Sequence, residues 1–259
     1  MRKRDLFLAT FSTNAIEVIG KYGIGIEYNQ FCISDTLDDD RIGKVVAAMK
    51  RKAEKCGCTD PSQMIAHGPF TEIIPMAIDH MAAEYALRRL NQAYEGCRKL
   101  GVNRMVVHSG LMPDIYFPVW HVKKSTEFWK RFMEDKPADF CIFIENVLDP
   151  EPEALVEIAE KIDDPRVRLC LDVGHAHLKT EPAYDIFDWI RIQGPYLAHF
   201  HLHNNDRSSD QHAPVTEGTM DMEAVIAAID EHCSPSATFT VESRECDGSV
   251  AWLLSKMEE

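Results

Sequence analysis

Residues 140–172 read FCIFIENVLDPEPEALVEIAEKIDDPRVRLCLD and contain the unit from which the fold can be inferred. This unit begins with a short β-rich run at 140–145, continues through a stretch of helical periodicity and ends with a second β-rich run at 167–172. A strand, a crossover helix and a parallel strand produce such a pattern. The stretch therefore predicts one β/α unit of a parallel sheet.

The same alternation extends from one end of the chain to the other. Eight β-rich runs are predicted as strands, at residues 5–10, 23–28, 62–67, 103–108, 140–145, 167–172, 196–201 and 237–242. Helical stretches lie between them, and two of these stretches end at a glycine, Gly57 and Gly101. Eight such units in 259 residues predict an α/β fold, a closed (β/α)8 TIM barrel in which residues 1–259 form a single domain.

The composition narrows the classes of partner and the compartment. A formal net charge of −14 disfavours nonspecific attraction to nucleic acid and to anionic membranes, so small polar metabolites are the expected partners. No run approaches the ~20 apolar residues of a transmembrane helix, and the N-terminal apolar run is too short for a secretion signal. The eight cysteines lack a CxxC framework. We therefore expect a cytoplasmic protein that has no membrane partner.

Polar side chains end six consecutive predicted strands. All six are good metal ligands: His67, His108, Glu145, Asp172, His201 and Glu242. Because parallel strands of a barrel end on the same rim, we expect these side chains to converge. The alternation agrees, since Phe143 and Glu145 share one face of a strand while Ile144 faces the outer helices. Carboxylates and imidazoles without an evident thiolate suit Mn²⁺, Mg²⁺, Co²⁺, Zn²⁺ or Fe²⁺.

The stretch HFHLHNNDRSSDQH, at 199–212, concentrates further imidazoles and carboxylates. His199, His201 and His203 alternate with apolar residues, which is typical of a strand with one polar face. We predict that His199 is a buried core histidine one layer below the rim. Three histidines in helical stretches are predicted to be surface residues: His80, His121 and His232.

These residues lie in motifs that resemble the xylose isomerase-like TIM-barrel superfamily, which includes sugar isomerases and epimerases, inosose-metabolising enzymes and the endonuclease IV family. The motifs are AHGPF, VVHSG, FIEN, LDVGHAH, HLHNND followed by DQHAPVTEG, and VES. The resemblance covers nearly the whole chain, from GIGIEY to TVES.

Resemblance to the isomerase and epimerase branch implies a metal site with four ligands. The implied ligands are Glu145, Asp172, His201 and Glu242. The two glutamates are also implied to be catalytic, because that pair shuttles the proton in the resembling epimerases. The resemblance favours His201 over His203 as the metal ligand from the seventh strand. In that branch a substrate-contacting arginine follows the ligand by six positions, as Arg207 follows His201. His175, His203 and Arg207 are then implied to bind substrate.

Resemblance to the endonuclease IV family implies a larger set, of three zinc ions and nine ligands. The chain offers a candidate for each: His67, His108, Glu145, Asp172, His175, His201, Asp210, His212 and Glu242. The DQH run at 210–212 matters most, since the epimerases have an arginine and a Pro-Gly run there. Three features argue against a nuclease. The composition is acidic, the second strand ends in GIEYN where an arginine-bearing DNA-binding loop is expected, and TEG occurs where the family pattern usually has GEG.

We therefore predict a divalent-metal-dependent isomerase or epimerase that moves a proton in a sugar, sugar phosphate or inosose through an enediolate. The alternative is an endonuclease IV-like multi-zinc phosphodiesterase acting at abasic sites, and a third interpretation is a noncatalytic sugar-binding barrel. The expected cofactor is Mn²⁺, Zn²⁺, Co²⁺ or Mg²⁺, as one ion in the first case and two or three zinc ions in the second. The expected partner is a small carbohydrate; nucleic acid is disfavoured, and a homo-oligomer is left open.

Overall fold

A computed structural model describes residues 2–180 and 182–257 and has the closed parallel barrel that the sequence predicts. Neighbouring strands are parallel and follow one another in chain order, and β8 closes against β1. The strands are β1 Leu6–Ala9, β2 Gly25–Tyr28, β3 Met64–His67, β4 Arg104–His108, β5 Cys141–Glu145, β6 Val167–Asp172, β7 Leu197–Leu202 and β8 Thr238–Val241. The predicted fold class is confirmed.

Nine α-helices in the described part of the chain surround this barrel. They are α1 Ala15–Tyr22, α2 Ile42–Cys56, α3 His80–Leu100, α4 Pro118–Met133, α5 Glu153–Ile162, α6 Val173–Lys179, α7 Ile186–Gln193, α8 Met222–His232 and α9 Asp247–Lys256. Gly57 and Gly101 end α2 and α3 in the left-handed conformation, at φ 74° and 77°, as the sequence predicts. Among the described helices, none has the length and apolarity needed to cross a bilayer.

Alternate residues of each strand face two different layers. The outer layer packs against the helices in one large cluster, which includes Ile144, Leu171 and Val241. The barrel interior contains a separate small cluster, made of Phe7, Ile65, Val106, Phe143 and Cys170. The predicted alternation is confirmed, and the interior is a packed core beneath the polar rim.

The observed strand boundaries differ from the predicted ones by one or two residues. β3 begins at Met64, because Pro61–Gln63 forms a 3₁₀ turn. β8 ends at Val241, so Glu242 lies one residue beyond the strand. The backbone N–H of Glu242 nevertheless donates to the carbonyl of Leu202 at 3.0 Å, which keeps Glu242 level with the other strand ends.

The register between strands decides which polar side chains lie side by side at the rim. Asp172 of β6 lies opposite His201 of β7, and His108 of β4 lies opposite Glu145 of β5. Because all strands run in the same direction, their carboxyl ends open on one face of the barrel. The candidate ligands therefore share one rim although they are distant in sequence.

Gly25 tests how tightly the barrel interior is packed. A methyl group added at Gly25 would overlap the ring of Phe7, whereas Gly43, at the start of α2, has nothing within 4 Å of such a group. We expect Gly25→Ala to lower the free energy of unfolding by roughly 1–3 kcal/mol because of overpacking. The control Gly43→Ala should leave it unchanged or raise it by less than ~1 kcal/mol. Urea unfolding measures both, and equal stability of the two variants would contradict the packed interior.

Candidate functional site

Four side chains at the centre of the rim form what we call the inner group: Glu145, Asp172, His201 and Glu242. The Nδ1 atom of His201 lies 3.3 Å from Oε1 of Glu145 and 3.4 Å from Oε2 of Glu242. The same nitrogen is 3.9 Å from Oδ2 of Asp172. All four residues are buried. The structure thus brings together the four candidate ligands that the sequence predicts for a single-ion site.

A second set of candidate ligands, the lateral group, lies beside the inner group and consists of His67, His108 and Glu145. The Nε2 atoms of His67 and His108 lie 3.2 Å and 3.4 Å from Oε2 of Glu145. Glu145 therefore directs one oxygen to each group. The ring of Phe70 stacks on His108 with a centroid distance of 4.5 Å and forms the outer wall of this group.

The outer group lies closer to solvent and consists of His175, His203, Asp210 and His212. Oδ2 of Asp210 is 3.3 Å from Nε2 of His175 and 3.2 Å from Nε2 of His212. The ring of His203 stacks on His212 at a centroid distance of 4.0 Å. His203 is also fully buried, with Nε2 only 3.0 Å from Oδ1 of Asp172. His203, which the sequence analysis assigns to substrate binding, thus lies among the candidate ligands of the outer group.

Backbone carbonyls fix the tautomers of three histidines. Nδ1 of His67 lies 2.9 Å from the carbonyl of Gly68, and Nδ1 of His175 lies 3.1 Å from that of Asn146. Nδ1 of His212 is 2.8 Å from the carbonyl of Glu242. A carbonyl only accepts, so each Nδ1 carries the proton. Nε2 of each ring faces a carboxylate of its group and, once it has lost its proton, can bind a metal ion, as in metal-binding histidines.

The three groups fit divalent metal ions. In the lateral and outer groups, and among three members of the inner group, the ligand atoms lie within 4.8 Å of one another. Nitrogen and oxygen atoms in these groups lie 3.2–3.4 Å apart. Two ligand atoms of a tetrahedral ion are separated by about 3.4 Å when each bond to the ion is about 2.1 Å long. Nδ1 of His201 is buried and has no hydrogen-bond partner among the residues that the structure describes. This orphaned nitrogen faces carboxylates, as a metal ligand would.

Burial and charge shift the pKa values of the inner group in opposite directions. Burial would raise the pKa of Glu145, but the charges of His201 and His108 outweigh it and hold that pKa well below its usual range. Burial raises the pKa of Glu242 above its usual value, and the nearby carboxylate of Glu27 adds to this shift. Burial opposes protonation of His201, yet the surrounding acidic groups raise its pKa well above the usual value.

Asn146 joins the ends of β5 and β6. The side-chain Nδ2 of Asn146 donates to the backbone carbonyl of Asp172 at 3.0 Å, and its side-chain Oδ1 accepts from the backbone N–H of Asp172 at 2.8 Å. The Asp172 side chain in turn accepts from the N–H of His175 at 2.7 Å and caps α6. The FIEN and LDVGHAH motifs thus form one hydrogen-bonded unit, which sets the orientation of the Asp172 carboxylate.

A buried network supports the loops after β4 and β5. Ser109 donates to Oδ2 of Asp149 at 2.6 Å, and Val147 N–H donates to the same oxygen at 3.1 Å. His121 of α4 lies beneath this network, 3.8 Å from Asp149, and is only 1% exposed. The prediction that His121 is a surface residue is wrong, because the face of α4 that carries it packs inward. His80 and His232 are exposed as predicted.

Two further residues bear on the predicted site, Arg207 and Glu27. Arg207 is exposed in the loop after β7, with φ 68°, and its predicted contact with substrate stays a prediction. Glu27 was not predicted, yet its fully buried carboxylate lies 3.2 Å from Nε2 of both His199 and His201. The signal for Glu27 was a lone glutamate at an inward position of the second strand. His199 is a buried, hydrogen-bonded histidine, as predicted.

Residues 16–254 match the family model of the xylose isomerase-like TIM barrel. An uncharacterized protein of Methanocaldococcus jannaschii is 25% identical over 178 residues, which cover 65% of this chain and 60% of that protein. A probable endonuclease 4 of Mycobacterium leprae is 23% identical over 177 residues, which cover 64% of this chain and 68% of that protein. The chain thus matches about two thirds or less of the length of these curated relatives.

Solved structures share the fold over nearly the whole chain. A D-tagatose 3-epimerase-like protein superposes with a TM-score of 0.73 at 19% identity and covers 97% of this chain and 96% of its own. A Thermus thermophilus protein soaked with zinc chloride superposes with a TM-score of 0.75 at 22% identity and covers 97% of both chains. Together with the family model, which spans the strands from β2 to β8, these likenesses lead to one assignment. The chain belongs to the xylose isomerase-like TIM-barrel family.

Proposed function

We propose that the protein is a divalent-metal-dependent isomerase or epimerase that acts on a small sugar, sugar phosphate or inosose. The observation that carries this proposal is the convergence of Glu145 and Glu242 on one nitrogen of His201, at 3.3 Å and 3.4 Å. Glu145 ends β5 and Glu242 directly follows β8, so both carboxylates can reach a substrate held between them. Such a pair can remove a proton from carbon and return it.

The inner group would hold a divalent ion that polarises substrate oxygens and stabilises the negative charge left when a proton departs. The two glutamates would hold and move that proton. The pKa of Glu145 lies well below its usual range, so Glu145 stays ionised and can accept a proton, whereas burial raises the pKa of Glu242. A pair of carboxylates whose pKa values are displaced in opposite directions is typical of acid–base catalysis.

The charge of the loops around the rim favours a small substrate over a polyanion. Arg41, Arg207 and Arg244 are the only basic residues apart from histidine in the loops that follow the seven strands other than β6. These loops are residues 10–14, 29–41, 68–79, 109–117, 146–152, 203–221 and 242–246. Exposed carboxylates are present on several of the same loops, among them Glu72, Asp114 and Glu217. Binding of nucleic acid relies on many contacts between lysine or arginine and phosphate. This rim offers few.

The lateral and outer groups favour a second candidate function, a metal-dependent phosphodiesterase of the endonuclease 4 kind. Glu145 directs its two oxygens to two different groups, and Asp210 and His212 complete a third. Several ions held side by side are typical of enzymes that hydrolyse phosphate esters. A relative of 23% identity is named probable endonuclease 4, which also supports this candidate.

The isomerase proposal predicts exchange of substrate hydrogen with solvent. When the protein is incubated with ketoses, inososes and their phosphates in deuterated water, NMR should detect deuterium on a carbon beside the carbonyl of at least one of them. Glu242→Gln should slow this exchange by ~10²–10⁴-fold, because a general acid–base group is lost. The control Glu245→Gln, on the exposed part of the same loop, should exchange at the wild-type rate. Absence of exchange on every sugar would argue against the proposal.

The phosphodiesterase candidate predicts cleavage of duplex DNA that contains an abasic site. A chelator should abolish this cleavage, and so should His67→Ala or His212→Ala, because each variant removes a ligand from outside the inner group. Strand cleavage is followed by gel electrophoresis. Cleavage at a useful rate, together with about three zinc ions per chain, as the resemblance to endonuclease IV implies, would favour this function over sugar chemistry.

Metal binding should release protons and weaken as the pH falls. Burial opposes the charge on His212, but its hydrogen bond to Asp210 raises the pKa of His212 to about 9, and the pKa of His175 is also raised. A metal ion must displace these protons, so affinity for zinc should fall by up to about tenfold per pH unit for each proton displaced as the pH drops below 9. Calorimetry in buffers of different ionisation enthalpy measures the protons released. His212→Ala should release one fewer, and zinc affinity that is constant from pH 9 to pH 6 would contradict the prediction.

A further inference from the structure

Glu27 lies inside the barrel beneath the inner group, where three polar side chains surround its carboxylate. Oε1 of Glu27 lies 3.2 Å from Nε2 of His201. Oε2 accepts a hydrogen bond of 2.5 Å from the hydroxyl of Thr240 and lies 3.2 Å from Nε2 of His199. Glu27 is fully buried and touches the ring of a candidate ligand on the side away from the inner group.

The contacts of His199 fix the positions of the protons around Glu27. Nδ1 of His199 lies 2.7 Å from the hydroxyl oxygen of Thr238. If Nδ1 of the neutral ring carried the proton, the Nε2 lone pair would face the Glu27 carboxylate, an unfavourable contact between two acceptors. Thr238 therefore donates to Nδ1 of His199, and the Nε2–H of His199 is directed at Glu27 and at Thr240.

One arrangement of His201 is consistent with these neighbours. Nε2 faces Oε1 of Glu27 and carries a proton, whereas Nδ1, which faces Glu145 and Glu242, would give up its proton and offer its lone pair to an ion held by the inner group. His67, His175 and His212 have their tautomers set by backbone carbonyls. Neither nitrogen of His201 has a hydrogen bond of good geometry to any described residue. Oε1 of Glu27 likewise forms no hydrogen bond of good geometry within the described residues, and its 3.2 Å contact with Nε2 of His201 is an electrostatic approach on the side of the ring away from the inner group.

We propose that Glu27 is a positioning residue, which holds His201 in the tautomer and ring orientation that present Nδ1 to a divalent ion. The inference rests on the proposed metal-dependent function and extends it to a residue outside the ligand set. A carboxylate on the far nitrogen of a ligating imidazole both orients the ring and increases its basicity.

The contacts favour this role over direct ligation by Glu27. Ligand atoms of Glu27, His67 and His201 do lie within 4.8 Å of one another. However, Oε2 of Glu27 is occupied by the hydroxyl of Thr240. An ion bound to Oε1 would also require His201 to bind through Nε2, on the side of the ring away from Glu145 and Glu242.

Glu27→Gln tests the proposal because it keeps the size of the side chain and removes its charge. We expect zinc affinity at the inner group to weaken by ~10–100-fold while the number of ions bound is unchanged. In zinc-loaded protein with ¹⁵N-labelled histidine, NMR should show His201 protonated at Nε2 in the wild type and a loss of that single form in the variant. Glu245→Gln, an exposed glutamate after β8, is the matched control and should change neither calorimetric affinity nor the His201 signals.

Thr240→Val provides a second test if Glu27→Gln does not fold. It removes the 2.5 Å hydrogen bond to Glu27 at nearly constant volume and should weaken zinc affinity in the same direction by a smaller factor. Loss of one bound ion with the remaining affinities unchanged would make Glu27 a ligand and overturn the proposal. Wild-type affinity combined with an unchanged His201 tautomer would also overturn it. A wild-type protein that binds no zinc, manganese or cobalt would overturn the proposed function, and this inference with it. A wild-type protein that binds zinc, together with either of the two preceding results for the variants, would overturn this inference alone.

Discussion

Buried negative charge at the centre of the rim is the constraint on which the rest of the site depends. Glu27, Glu145 and Asp172 have almost no solvent exposure. Removing an ionised carboxylate from water is costly unless opposite charge and hydrogen-bond donors compensate for the lost hydration. In this barrel, imidazoles lie between the carboxylates, so each acidic oxygen meets a ring nitrogen. The same alternation of imidazole and carboxylate is what a divalent ion requires, because both groups are ligands once the rings are neutral.

The surrounding structure holds each ligand in one orientation. Backbone carbonyls fix the rings of His67, His175 and His212, and Asn146 fixes the backbone at Asp172. These supports belong to strand ends and to the first residues after them, which are anchored by the barrel. The rim is therefore preorganised: the candidate ligand atoms already lie at separations suited to an ion, so the proposed binding would require little rearrangement of the chain.

The two candidate functions share the inner group, and the features that separate them lie outside it. The lateral and outer groups add ligands for further ions, which favours phosphate chemistry. The loops that follow the seven strands other than β6 have three arginines and no lysine, which disfavours a long polyanion. A phosphate group on a small substrate would meet positive charge chiefly at the metal centre itself. A small phosphorylated sugar is consistent with both features, because it carries one phosphate and needs no extended basic surface.

The sequence by itself determined the barrel and the positions of most candidate ligands on its rim, because both follow from local periodicity. Alternation along 140–145 directs Glu145 inward, and parallel strands place His67 and Asp172 on the same rim. The tertiary structure alone decided the rest, because it depends on distances between residues remote in sequence. Glu27 and His199 are 172 positions apart and meet only when the barrel closes. His121 is buried because α4 turns that face inward, and helical periodicity does not say which face a neighbouring element will cover.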